Sequence, residues 1–235
     1  MQNLTKRNFN KKGIIPRHAV AETVINKLGN YTSLSNYMYK GFWDLPTNFD
    51  NGIYNKTEKE TIKVITPRGE NYISLNDINM RFVDSYKVTF GRATSFSSTN
   101  QKTKIKLLSS LRVLKPNEVC NDSYMGIFGI KSEEYANNFK SYLETKFVRF
   151  LVLQTLFGIG LTPDRFQFVP IQDFTEPWTD EKLYTKYNLT QAEIKFIESI
   201  IADYSDEKAT RKISYTPQDI QANFINQQLK SQDTP

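Results

Sequence analysis

The sequence predicts an α+β fold: a mixed or antiparallel central sheet, a long helix packed on it, and a small helical section towards the C-terminal end. Three observations lead there. The middle of the chain carries short runs in which apolar and polar side chains alternate, the signature of half-buried strands. Beyond Ser132 the apolar residues recur at helical spacing over a long stretch. Further on, Thr179 and Thr190 each open a segment with a helix-start pattern. With 235 residues and 39% hydrophobic content, the chain is long enough to bury a core of its own.

Taken in order, the first helix is expected over residues 18–28, where Val20, Val24, Ile25 and Leu28 share a face and Gly29-Asn30 supplies a stop. Residues 30–55 mix aromatic side chains with Gly, Pro and Asn and read as irregular structure. Strands are expected at 61–66, ended by Pro67-Arg68-Gly69, and at 84–90, where Tyr86, Val88 and Phe90 fall on one face. Residues 111–114 and 124–130 are two further short strands, separated by the turn Lys115-Pro116-Asn117 and a connecting segment. Ser132 then caps the long helix, with Glu133 and Glu134 in its first turn. Phe139, Leu143, Phe147, Phe150 and Leu151 form its apolar face, and Gly158-Ile159-Gly160 its end. A small helix from Thr179 to Tyr187 follows. Thr190-Gln191-Ala192-Glu193 spells a capping box, and Leu189 and Ile194 are placed to staple it. The tail 205–235 is polar, with a weak helix around 218–229, and is expected to be partly mobile.

The net charge of +6 is modest, but it is unevenly distributed. Residues 85–117 contain no Asp or Glu and hold Lys87, Arg92, Lys102, Lys104, Lys106, Arg112 and Lys115; residues 1–21 are also acid-free and hold Lys6, Arg7, Lys11, Lys12 and Arg17. Outside these two windows, 19 basic residues face 25 acids. Concentrated cations among hydroxyl and amide side chains suit a phosphate-contacting surface, because phosphates release counterions when neutralised.

Catalytic chemistry is harder to find. No Gly-rich loop has the spacing of a P-loop or dinucleotide fingerprint. One cysteine, Cys120, and one histidine, His18, make neither a disulfide nor a His/Cys metal site, so the expectation is metal-free. Glu144-Thr145-Lys146 spells part of a nuclease motif but lies inside the expected long helix, where it reads as a surface charge pair. The acids of Asp180-Glu181-Lys182 belong to the first turn of a helix capped by Thr179. No apolar run is long enough to span a bilayer and the first residues lack a signal-peptide core, so a cytoplasmic location with no membrane partner is expected.

Several segments in a shared order resemble a known family. Ile14-Ile15-Pro16-Arg17 with Ile25-Asn26-Lys27, then Leu45-Pro46-Thr47-Asn48-Phe49, then Asp84-Ser85-Tyr86-Lys87-Val88 look like the recognition half of bacterial adenine-specific DNA methyltransferases of Type II restriction–modification systems. So do Thr145-Lys146-Phe147-Val148-Arg149-Phe150-Leu151, Phe166-Gln167-Phe168-Val169-Pro170, Trp178-Thr179-Asp180-Glu181-Lys182-Leu183-Tyr184, Leu189-Thr190 with Ile194, and Phe196-Ile197-Glu198. The resemblance covers roughly residues 13–201 and implies a region that selects the DNA sequence to be methylated. It also implies an S-adenosylmethionine site and a Pro-Pro-Tyr catalytic loop elsewhere, because this chain contains no Pro-Pro pair.

The resulting expectation is a DNA target-recognition domain over residues 1–204, with a basic arm at 1–17 and a helical section at 179–204, without activity or cofactor of its own. Double-stranded DNA is the expected partner, with a separate catalytic methyltransferase or restriction subunit beside it. The expected contacts are Lys87, Arg92, Lys102, Lys104, Lys106 and Arg112, with Ser95, Ser97, Ser98, Asn100 and Gln101 reading base edges or backbone. Arg17, Lys40 in the aromatic loop, and Arg165 complete the set. The competing readings are a restriction endonuclease, which needs a carboxylate cluster, and a subunit that docks on a methyltransferase through its acidic C-terminal half.

Overall fold

A computed structural model describes residues 15–49, 61–94, 104–156, 158 and 160–205. The fold is α+β, built in three layers. A four-stranded antiparallel sheet in the order β1-β7-β4-β5 comprises β1 (Tyr39–Lys40), β4 (Tyr86–Gly91), β5 (Arg112–Leu114) and β7 (Tyr124–Ile130). A smaller sheet in the order β3-β2-β6 comprises β2 (Thr61–Thr66), β3 (Gly69–Ser74) and β6 (Glu118–Cys120), with β2 antiparallel to β3 and parallel to β6. Helices α1 (Ala19–Lys27), α2 (Glu133–Glu144), α3 (Lys146–Leu153), α4 (Asp180–Lys186) and α5 (Gln191–Ile200) form the remaining layer.

Side-chain alternation assigns each face of the larger sheet to a different core. Val88 and Phe90 on β4 and Met125 on β7 join Phe139, Leu143, Phe147, Phe150 and Leu151 of the helices in one apolar cluster. Leu114 on β5 and Tyr124 and Phe128 on β7 join Ile62, Val64, Val119 and Trp43 in a second cluster between the sheets. Each such side chain, fully buried, contributes about 1.5–3 kcal/mol. Where β4 and β7 cross, Gly126 is required: a Cβ there would collide with the Val88 carbonyl oxygen.

The expected long helix is two. The chain turns at Thr145, whose backbone is extended; its Oγ1 accepts from the Val148 amide at 3.2 Å and donates to the Tyr142 carbonyl at 2.8 Å. The Asp180 carboxylate, at the start of α4, accepts from the Lys146 and Phe147 amides at 3.0 and 2.8 Å and so caps α3 from 34 residues away. Burial raises the pKa of Asp180 against the pull of those amides and of Arg149. The helix also stops at Leu153, ahead of the expected glycines. The capping box at Thr190 is present: the Thr190 amide donates to Glu193 Oε2 at 2.7 Å and the Glu193 amide to Thr190 Oγ1 at 3.3 Å. Strands β1, β3 and β6 add to the four expected. The 218–229 helix lies outside the described residues.

Candidate nucleic-acid interface

At one end of the two sheets, four backbone segments converge. The Gly91 amide at the end of β4 donates to the Ser109 carbonyl at 2.8 Å, the Arg92 amide to that of Ser123 at 2.9 Å, and the Leu161 amide to that of Arg92 at 2.8 Å. With the turn that joins β2 to β3, they enclose an open cleft of about 880 Å³. Its walls carry Arg92, Arg112, Asp122 and Glu70 and the hydroxyls of Thr66, Ser109, Ser110, Ser123 and Thr162.

Each charged group in the cleft has a definite setting. Arg92 Nη1 donates to the Asp122 carbonyl at 2.7 Å, and its buried Nε hydrogen-bonds to nothing among the described residues. The Arg112 guanidinium lies over the Tyr124 ring at 5.5 Å. The turn bearing Asp122 is fixed by Asn121, whose Nδ2 donates to the carbonyls of Pro46 and Thr47 at 3.2 and 3.1 Å. Glu70 pairs with Lys63 at 2.6 Å.

The β2–β3 turn forms one rim. Thr66 and Gly69 are paired, so only Pro67 and Arg68 make the tip. Neither has a positive φ, and Pro67 cannot take one, so the tip is not one of the primed turns that suit hairpin twist. Thr66 supplies the missing support. Its Oγ1 donates to the Gly69 carbonyl at 2.9 Å and accepts from the Arg68 amide and from Asn71 Nδ2, both at 3.2 Å. Arg68 is exposed at the tip, with no carboxylate in ion-pair range among the described residues.

Seven of the nine expected contact residues divide into four groups. Arg92 and Arg112 meet in the cleft. Lys104 and Lys106 lie elsewhere, beside the end of α5, where the Ile105 amide donates to the Ile200 carbonyl at 2.9 Å; Lys104 is exposed and the Lys106 ammonium lies over Tyr204 at 4.6 Å. Arg17 and Arg165 bind the end of α3: Arg17 donates to the Leu156 carbonyl, and Arg165 Nη1 to that of Thr155 at 2.7 Å. These cations hold the turn that follows the helix, a structural task. Lys40 is exposed on the edge strand β1.

Lys87 is a correction to the expected set. Instead of facing DNA, its side chain is buried between the sheets, where Nζ donates to the carbonyls of Val83, Lys115 and Glu118 at 2.9, 3.2 and 2.8 Å. Burial lowers its pKa to about 8 despite the nearby Glu118 carboxylate. Lys102 and the expected polar readers Ser95, Ser97, Ser98, Asn100 and Gln101 lie outside the described residues, as do Lys6, Arg7, Lys11 and Lys12.

The remaining reactive groups have structural surroundings. Cys120 is buried, and burial pushes its thiol up to about 12. His18 precedes α1 at its N-cap position without a side-chain capping bond and stacks on Phe150, its amide donating to Gln154 Oε1 at 3.1 Å. Glu144 pairs with Lys140, and Lys146 with Glu198 and Asp203 at 2.6 and 2.9 Å. Among the described residues no group of three or more His, Cys, Asp and Glu side chains is gathered to hold a metal ion, and no helix is long and apolar enough to cross a membrane. Sequence reasoning missed Asp122 and Ser123 as neighbours of Arg92; their proximity comes from strand pairing and leaves no local signal.

No protein-family model, curated protein or solved structure matches this chain.

Proposed function

We propose that this chain is the sequence-reading part of an adenine-specific DNA methyltransferase of a restriction–modification system, and that it binds duplex DNA across the rim of its two sheets. One observation carries the reading: Arg92 and Arg112, far apart in an acid-free segment, meet in an open cleft walled by hydroxyl-bearing residues. Guanidinium groups held by a carbonyl and by an aromatic ring are set in place before a ligand arrives, which lowers the ordering cost of binding. The resemblance of residues 13–201 to the recognition half of such enzymes supports the same reading. Methyl transfer and the S-adenosylmethionine site then belong to a separate catalytic part.

In this reading Lys104 and Lys106 extend the phosphate grip beyond the cleft. Titration of a labelled duplex at stepped salt concentrations tests it. Reversal of both charges, Lys104→Glu with Lys106→Glu, lowers affinity at low salt and flattens the dependence on salt by about one log–log unit for each phosphate no longer neutralised. A thermal melt run alongside separates a weaker grip from a damaged fold, since Lys106 also covers Tyr204. Binding that is unchanged in the folded variant overturns this placement of the DNA surface.

A further inference from the structure

We infer that Arg68, at the tip of the β2–β3 hairpin, is a specificity-determining residue that reads a guanine from the major groove; the inference rests on the DNA-binding reading above. A cleft is concave and grips a strand, whereas a base edge is reached only by a part of the protein that projects. The major groove admits a two-stranded β-ribbon, and the hairpin tip is such a part beside the cleft: Pro67 and Gly69 line it and Arg68 stands exposed between them.

The tip is also held in place. Pro67 fixes one backbone angle, and the nearly buried Thr66 hydroxyl joins Gly69, Arg68 and Asn71 by three hydrogen bonds. A phosphate contact needs only positive charge, which a flexible lysine supplies. Bidentate donation to guanine O6 and N7 needs a planar fork at a defined place.

The experiment is selection of bound duplexes from a randomised DNA library by the full chain, followed by affinity and salt titrations on the selected site. The wild type is expected to enrich a motif with an invariant guanine. Arg68→Lys keeps the charge, so affinity for random duplex and the salt slope hold, while preference for that guanine falls about ten-fold or more. Thr66→Val, which removes no charge and frees the tip, is expected to blur the same position and no other. If both variants melt like the wild type and still select the unaltered motif, the role of Arg68 is overturned and the DNA-binding reading stands. If the wild type binds no duplex, or enriches no motif, both are overturned.

Discussion

The two faces of the four-stranded sheet are built to different standards. On the helical side, the fully buried side chains of Tyr142, Gln154 and Arg149 are satisfied: Tyr142 Oη donates to the Pro170 carbonyl at 2.6 Å, Gln154 Nε2 to that of Phe150 at 2.9 Å, and Arg149 Nε to those of Glu144 and Thr145 at 3.1 and 3.2 Å. On the side facing the smaller sheet, a lysine is buried, and the Thr89 hydroxyl and the Trp43 indole N–H are buried with no hydrogen-bond partner among the described residues. Unpaired buried polar groups cost about 1–3 kcal/mol each. The helices thus hold the fold, while the sheet pair carries the cleft and accepts a poorer interior beside it.

The largest effect should come from the helical face. Phe150, fully buried against His18 and Phe196, is expected to cost about 3–5 kcal/mol on truncation to Ala, measured by chemical denaturation. Where Phe150→Ala remains folded, it should bind duplex DNA as the wild type does. A selective loss of binding at full folding would break the division between scaffold and interface.

Next in size is Lys87, the polar centre of the other face. Lys87→Met leaves three carbonyls without their shared ammonium and is expected to cost about 2 kcal/mol. The pH dependence follows from its lowered pKa, about 8 in the fold against an ordinary 10.5. Between these values the unfolded chain holds a proton that the folded chain has released, so wild-type stability rises with pH across that window. The variant should lack the rise. Equal slopes for the two proteins would mean that the ammonium is not the titrating group.

These residues also mark how far the sequence can be read. Alternation on β4 turns Tyr86, Val88 and Phe90 to one side, and hence Lys87 to the other. That the other side is covered by a second sheet is a tertiary fact, and part of that sheet gives little signal: β3 is a polar edge strand and β6 has three residues. The capping box at Thr190 is legible because its partners lie three residues apart. The break at Thr145 is not, because Asp180 completes it from a distant helix and the apolar spacing continues through it. In the cleft, Arg92 and Arg112 stand out by charge, whereas Asp122 and the hairpin-turn residues Pro67 and Gly69 reach it only through strand pairing.

A smaller effect belongs to Glu193, which joins α5 to α1. Burial alone would raise its pKa, but hydrogen bonds from Lys27, Thr23 and Thr190 hold it at about 2, against an ordinary 4.5. Its contribution is therefore present above pH 4.5 and lost as pH falls towards 2. Glu193→Gln should cost about 1 kcal/mol at neutral pH and flatten the acid limb of a melting-temperature profile. An unaltered acid limb would assign that limb to other carboxylates.

The smallest change in stability is expected at Lys40, and it gives the sharpest separation of interface from scaffold. Lys40 is exposed on a two-residue edge strand, and no ion pair holds it among the described residues. Lys40→Gln should leave the melting temperature within the range of a neutral surface change, about 0.5 kcal/mol or less. If the DNA path runs from the cleft past β1, the same substitution removes one phosphate contact and lowers the log–log salt slope by about one. A slope equal to that of the wild type would confine the path to the cleft and the far side, towards Lys104. Because the charge goes while the packing stays, the measurement separates electrostatic attraction from fold more cleanly than any substitution between the sheets.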